Sequence, residues 1–390
     1  MSSDGHDYGF GIVGCGVIGP RHAACVGQLA NAHLVAVTDL VPERSHALAA
    51  EHGCAVEPSL EALLARRDVE VVSVCVPSGR HAEVAVAAAE AGKHLVVEKP
   101  IEITLEAADR LIDAVDSAGV TMTVISQHRF DPGLVALHAM LSTGRLGKLV
   151  LGDARIKWYR SQAYYDSGAW RGTWELDGGG ALMNQGVHYT DLLRWCMGPV
   201  SEVHALCVTQ CHDIEVEDVA LALLRFSSGA VGSLEATTVA YPGFRERLEV
   251  SGTEGTVVIE DGEIVSSELL AERGEVGMYG TRAESAPGGS SSASSDPNAI
   301  ANDAHALQIA DLLQAIDEGR QPAVSGADAR AAIEVVLAIY ESARRGAAVR
   351  LPIDRAEVSL ARAPAGRATG TSEPPAAAPS GSSIGTSGSR

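Results

Sequence analysis

The feature that most constrains this chain is Gly14-Cys15-Gly16-Val17-Ile18-Gly19, a G-x-G-x-x-G. It closes the apolar run over residues 8–14 and opens a helical stretch over residues 20–29. A lone match to that pattern is weak, but between a strand and a helix it has a mechanism. Gly14 permits the tight turn, Gly16 lets backbone approach a pyrophosphate, and Gly19 allows close helix packing. The helix N-terminus, approached through Val17 and Ile18, then offers free N–H groups and partial positive charge to phosphates.

The rest of the first third keeps the same alternation. Apolar runs over residues 33–38, 69–76, 94–98 and 121–126 read as strands, and the stretches 43–52, 81–91 and 105–118 read as helices. Strands and helices joined by short loops require parallel strands with crossover helices. The runs are almost continuously apolar, as expected where both faces of a sheet are covered. Residues 8–126 therefore read as an α/β Rossmann domain, a doubly wound parallel sheet.

Beyond residue 126 the pattern changes. Helices are expected over 134–141 and 180–195, and strands over 148–159, 202–208, 219–226, 230–240, 245–251 and 256–259. Ser227-Ser228-Gly229 and Thr253-Glu254-Gly255 are hairpin-type turns. Two late helices follow, over 304–318 and 327–344. Residues 127–352 thus read as an α+β domain with a large, mostly antiparallel open sheet, the expected substrate and oligomerisation domain. The Ser- and Gly-rich 286–296 stretch reads as a mobile loop, and 361–390 as a disordered tail.

Charge narrows the partners. Fifty acidic residues against 30 basic ones give a net charge of −20. Nucleic acid and anionic membranes need clustered positive charge, so neither is expected. No apolar segment is long enough to span a bilayer, and the polar N-terminus has no signal core. Seven scattered cysteines fit reduced thiols. A soluble, cytoplasmic protein is expected. Cys207, Cys211 and His212 lack a second ligand pair at metal-binding spacing, so no metal is assigned.

Two carboxylates and one lysine carry the cofactor chemistry. Asp39 lies 20 residues beyond Gly19, at the end of the second strand. A carboxylate there accepts the ribose hydroxyls of NAD and repels the 2′-phosphate of NADP. Leu40, Val41 and Pro42 follow it, with Arg44 further on. Glu98-Lys99-Pro100 ends the fourth strand, where ligands of such sheets bind. Lysine is scarce here, at only four positions (Lys93, Lys99, Lys148 and Lys157).

The glycine turn continuing to His22, Asp39, the Pro77-Ser78 turn with His81, and Glu98-Lys99-Pro100 together resemble the Gfo/Idh/MocA family of sugar and cyclitol dehydrogenases. The Gly178-Gly179-Gly180-Ala181-Leu182-Met183-Asn184-Gln185-Gly186-Val187-His188-Tyr189-Thr190-Asp191 segment resembles that family's catalytic helix. The resemblance covers roughly residues 8–352. It implies NAD contacts from Gly14, Gly16, Val17, Ile18, Gly19, Asp39, Arg44, Pro77, Ser78, His81, Glu98, Lys99 and Gln127. It also implies a homodimer or homotetramer. Many relatives carry Asp where Asn184 stands. The branch with Asn resembles enzymes that oxidise the carbon-3 hydroxyl of a sugar, including nucleotide-sugar uronates.

The helix has a physical reading as well. Asn184 and His188 are four apart and share a face, while Asp191, three further on, is placed to orient the imidazole. A neutral histidine with a reference pKa of ~6.5 suits a base at neutral pH. Lys99 can bond the same substrate oxygen or take part in the proton relay. Lys99 and His188 are therefore the expected catalytic pair.

Aromatic residues are scarce, yet Trp158, Tyr159, Tyr164, Tyr165, Trp170 and Trp174 fall in one short segment before that helix. Aromatic faces stack on sugar C–H faces and attract cations. The expected substrate contacts are Lys99, Arg129, Trp158, Tyr159, Tyr164, Arg171, Asn184 and His188. Acidity favours an amino-sugar glycoside such as an aminoglycoside, as in antibiotic biosynthesis, with amines near Asp166, Glu175 or Asp177. A UDP-sugar or inositol dehydrogenase, an NAD-using glycosidase and a non-catalytic NAD-binding regulator are the alternatives.

Overall fold

The computed structural model describes residues 6–273 and 302–353. The expected mobile loop and tail lie outside them.

The first sheet contains six parallel strands: β1 (Tyr8–Val13), β2 (Ala32–Thr38), β3 (Ala55–Val56), β4 (Val71–Val74), β5 (His94–Val97) and β6 (Met122–Val124). Their spatial order is β3-β2-β1-β4-β5-β6. Strand order reverses between β1 and β4, which opens the crevice where ligands of doubly wound sheets bind. Helices α1 (Gly19–Val26), α2 (Pro42–His52), α3 (Leu60–Leu64), α4 (His81–Glu90) and α5 (Leu105–Ala118) make the crossovers. Ser59 and Thr104 accept the N–H groups of Ala62 and Ala107, capping α3 and α5. Both β3 and α3 escape the sequence reading because each is too short to show a period.

The second domain begins with α6 (Pro132–Ser142), β7 (Leu149–Lys157), α7 (Gln162–Asp166) and α8 (Val187–Met197). Strands β8 (Val200–Val208), β9 (Val219–Phe226), β10 (Val231–Thr237), β11 (Arg247–Gly252), β12 (Gly255–Glu260) and β13 (Glu263–Leu269) follow, then α9 (Leu270–Arg273), α10 (Asn302–Glu318), α11 (Gly326–Arg345) and β14 (Val349–Arg350). The eight strands run β13-β12-β11-β7-β10-β9-β8-β14. Every pairing is antiparallel except β7 with β10. Strand β9 shows the one-sided burial of such a sheet. Ala220, Ala222, Leu224 and Phe226 point into the core, and Leu221, Leu223 and Arg225 point out.

Helix α10 packs away from the domain in which its sequence position puts it. It falls in the second domain by sequence position, but Ala306, Ile309, Leu312 and Leu313 pack with Phe10, Val26, Val71 and Val96 of the first sheet. An α/β sheet must cover both faces, and here the chain returns to do so. Among the described residues no helix is long and apolar enough to cross a membrane.

Candidate active site

The glycine turn has the geometry a dinucleotide requires. Gly14 has φ +95, and a Cβ there would lie 2.5 Å from the Cys75 carbonyl. A Cβ on Gly19 would collide with the Gly14 carbonyl, whereas Gly16 faces open space within 4 Å. Sterics thus fix the outer glycines, and the middle one leaves room for a ligand. The Asp39 carboxylate accepts the N–H groups of Cys15 (2.6 Å) and Val41 (2.7 Å). It therefore braces the turn while retaining lone pairs for ribose hydroxyls. Arg44 lies exposed on the first turn of α2. Gln127 is buried, and its Oε1 has no partner among the described residues. That orphaned acceptor suits an amide N–H such as the nicotinamide carboxamide. These residues fit an NAD molecule.

Two residues expected to touch the cofactor have side chains hydrogen-bonded within the protein. His81 directs Nδ1 at the Pro100 carbonyl (2.7 Å) and Nε2 at the Val76 carbonyl (3.0 Å). It ties the Pro77-Ser78 turn to the cis Lys99–Pro100 bond. Glu98 is buried and lies 3.0 Å from His22 Nε2, and it accepts the Lys99 N–H at 3.0 Å. Burial alone would raise the Glu98 pKa, but the His22 bond and nearby positive charge hold it at about 2.

The chemistry converges on Lys99. Its Nζ donates to the Asn184 carbonyl (2.8 Å) and the Asn184 Oδ1 (3.2 Å). An ammonium has three donors, so one remains for a substrate oxygen. Burial lowers the Lys99 pKa, opposed by Glu98 and Asp177 and aided by Arg171 and Arg160. Asn184 Nδ2 donates to Asp177 Oδ1 at 2.8 Å. Asn184 sits in a π-helical turn over Ala181–Gly186 that precedes α8. The sequence reading took this as continuous α-helix; such wide turns occur mostly at functional sites.

His188, at the start of α8, is partly buried. Burial and then Lys99, His128 and His305 push its pKa well below the ordinary value. It is therefore a neutral acceptor at neutral pH. The His128 ring meets it edge-on, with centroids 5.2 Å apart. Burial opposes protonation of His128, but Asp131 at 2.7 Å and further acidic neighbours raise its pKa.

Arg129 and Asp191 depart from expectation. Arg129 donates Nε to Asp191 Oδ2 (2.7 Å) and Nη2 to Oδ1 (2.5 Å), and both side chains are buried. Ser126 Oγ also donates to Asp191. Asp191 is thus bonded to Arg129 and Ser126 rather than to the His188 imidazole, and Arg129 directs its guanidinium at α8.

The aromatic segment is also revised. Arg160 lies 4.6 Å above the Trp158 ring, and Arg160 and Arg171 lie 5.3 and 4.4 Å from the Tyr164 ring. Arg171 further donates to the Tyr164 hydroxyl. The rings buttress arginines near Lys99 more than they offer bare stacking faces. Tyr159 is exposed and packs on Tyr241. Asp166 is exposed and bonds Gln162, and Glu175 is exposed. Asp177 is buried and accepts the Gly172 N–H. Sequence reasoning assigned no role to Glu217, which bonds the turn bearing Asn184. Its signal was the acidic Glu215-Val216-Glu217-Asp218 opening of an apolar strand.

Residues 8–126 match the model of an oxidoreductase family with an NAD-binding Rossmann fold, and residues 134–258 match that of the GFO/IDH/MocA C-terminal domain. The WlbA dehydrogenase from Bordetella pertussis, solved with NADH and UDP-GlcNAcA, is 31% identical with a TM-score of 0.79; the match covers 91% of this chain and 100% of that one. Inositol 2-dehydrogenase from Rhizobium meliloti is 28% identical over 90% of this chain and 99% of its own. The NAD-dependent scyllo-inositol 2-dehydrogenase of Bacillus subtilis is 28% identical over 91% and 99%. With the glycine turn, the Lys99 strand end and the His188 helix assembled at one crevice, this chain belongs to the Gfo/Idh/MocA family and is an NAD-dependent sugar or cyclitol dehydrogenase.

Proposed function

We propose that the chain oxidises a secondary hydroxyl, at carbon 3, of a sugar ring bearing a carboxylate or phosphate group. The observation that carries this reading is the arginine pair. Arg160 and Arg171 share the Tyr164 ring and lie within electrostatic range of Lys99. Lys99, Arg160 and Arg171 outnumber the two carboxylates in range, Glu98 and Asp177, and the net positive site favours an anion over a polycation. The 31% identical WlbA enzyme, solved with a nucleotide-sugar uronate, supports the same reading, and Asn184 supports carbon 3 through the branch it resembles.

An NAD held by the glycine turn, Asp39 and Gln127 would supply the hydride acceptor. Neutral His188 takes the hydroxyl proton. Lys99 directs its remaining N–H at the same oxygen and stabilises the charge that develops there. Asn184 holds the Lys99 ammonium in place through its carbonyl and side-chain oxygens.

A panel of inositols and hexoses, sugar uronates and UDP-sugars, and aminoglycosides, each followed by NADH absorbance, tests the substrate. The anionic reading expects turnover in the second group, with KM rising as salt screens the attraction. Arg171→Gln should raise that KM about tenfold or more with NAD affinity unchanged. The second reading, an amino-sugar glycoside, is supported by the net charge of −20. Turnover confined to aminoglycosides would select it and exclude the first.

The homodimer or homotetramer and the cytoplasmic location are proposals too. The outer sheet face presents Leu206, Leu221 and Leu223 to solvent, a contiguous apolar surface that fits a second copy of this chain. Light scattering at micromolar concentration should give at least twice the chain mass. The location rests on the seven cysteines, none of which forms a disulfide among the described residues.

A further inference from the structure

We propose that Glu217 is a positioning residue whose carboxylate fixes the turn presenting Asn184 to Lys99. Glu217 lies just before β9 and is buried. Its Oε2 accepts the Gly180 N–H at 2.9 Å, and Oε1 accepts the Leu182 N–H at 2.8 Å. Its backbone carbonyl accepts the Ala181 N–H at 3.0 Å. Three consecutive donors at the opening of the π-helical turn therefore end on one residue. Those donors have no partner inside a helix, and this end carries no cap of its own.

Tyr340 of α11 completes the clamp. Its hydroxyl donates to Glu217 Oε1 at 3.0 Å and accepts the Met183 N–H at 3.2 Å. The N–H groups of residues 180–183 are thereby all held by the Glu217–Tyr340 pair. A Cβ on Gly180 would collide with the Glu217 carbonyl, so the turn lies directly against this residue. The next residue in the turn is Asn184, whose carbonyl and Oδ1 grip the Lys99 ammonium.

Asp218, the neighbouring residue, serves a different wall. Its carboxylate accepts the N–H groups of Gln210, Cys211 and His212, and lies 3.1 Å from His212 Nδ1. His212 Nε2 in turn meets the Arg160 carbonyl at 2.8 Å. Two adjacent buried acids thus point to opposite tasks, one holding the Lys99 side and the other the Arg160 side. That divergence supplies an internal control.

Glutamine at position 217 keeps the size but turns one acceptor into a donor facing a backbone N–H. One buried N–H is then unmet, and the turn loosens. The chain has only four lysines, so competitive acetylation of the full-length protein, read by mass spectrometry, reports each separately without any substrate. In Glu217→Gln, Lys99 should acetylate faster by on the order of tenfold. Lys93, Lys148 and Lys157 should keep wild-type rates. Tyr340→Phe, which removes the hydroxyl that donates to Glu217 and accepts the Met183 N–H, should move Lys99 the same way by a smaller factor. Asp218→Asn should move Lys99 far less than Glu217→Gln, since it reaches Lys99 only through Arg160. Wild-type Lys99 reactivity in both Glu217→Gln and Tyr340→Phe would overturn the proposal. So would a rise shared by all four lysines, which marks general loosening.

Discussion

Replacing Arg129 with methionine separates a brace for the site helix from a substrate ligand. The guanidinium is 4% exposed and the Asp191 carboxylate 6%. The pair shares two hydrogen bonds of 2.7 and 2.5 Å, and Ser126 adds a third to Asp191. Removing the cation leaves a buried carboxylate with one hydroxyl for company. Breaking such a pair from one side costs about 3–5 kcal/mol, a large part of the ~5–15 kcal/mol that holds a typical protein folded. The second acid near Arg129, Asp328 at 3.6 Å, adds to the loss. Urea denaturation should show the midpoint falling accordingly, with the slope unchanged. Arg129→Met with Asp191→Leu should recover part of the deficit, because no charge is then left buried. Substrate KM should stay within about threefold for Arg129→Met, since the side chain is committed to α8. A stability change under ~0.5 kcal/mol with a large rise in KM would refute the brace and restore the ligand role.

Catalysis and cofactor choice give further tests. Lys99→Met and His188→Ala should each slow hydride transfer by about 10²–10⁴-fold in single-turnover experiments, the range for a positioned acid or base, with NAD affinity little changed. Asp39→Ala should weaken NAD more than NADP and loosen the glycine turn, read by titrating both cofactors; equal losses would remove Asp39 from cofactor selection. Because burial holds His188 well below its ordinary pKa, its acid limb in kcat/KM should fall below pH ~6.5; a limb at or above that value contradicts a neutral buried base. Burial also lowers His305 to about 3. Below pH ~6.5 the unfolded chain binds a proton there that the native state refuses, so stability is lost as pH falls from ~6.5 towards 3. His305→Leu should flatten the stability-against-pH curve across that window.

Local signals made the first domain legible. The run around β1, the glycine turn and Asp39 lie within 32 residues, and every strand of the first sheet except the two-residue β3 is apolar enough to read without its neighbours. The strand end bearing Lys99 and the helix bearing His188 were legible for the same reason. What escaped depends on contacts remote in sequence. Arg129 and Asp191 look like two polar residues at a cleft until α8 is packed beside the Ser126 loop. Glu217 and Tyr340 are 123 positions apart and meet only when α11 crosses the second sheet. Trp158 and Tyr164 read as bare stacking faces because nothing in the spacing shows Arg160 and Arg171 lying on them. Helix α10 illustrates the same limit, since its apolar stripe fits either sheet and only tertiary packing chooses the first.

The most direct test follows a deuterium label placed on the oxidised ring carbon of a sugar uronate that the panel identifies. The account predicts deuterium at carbon 4 of NADH, one equivalent per ketone formed, and loss of both products in Lys99→Met. Accumulation of an altered or cleaved sugar with no net NADH, or with the label retained on the sugar, would contradict a dehydrogenase at the Lys99–Asn184–His188 site.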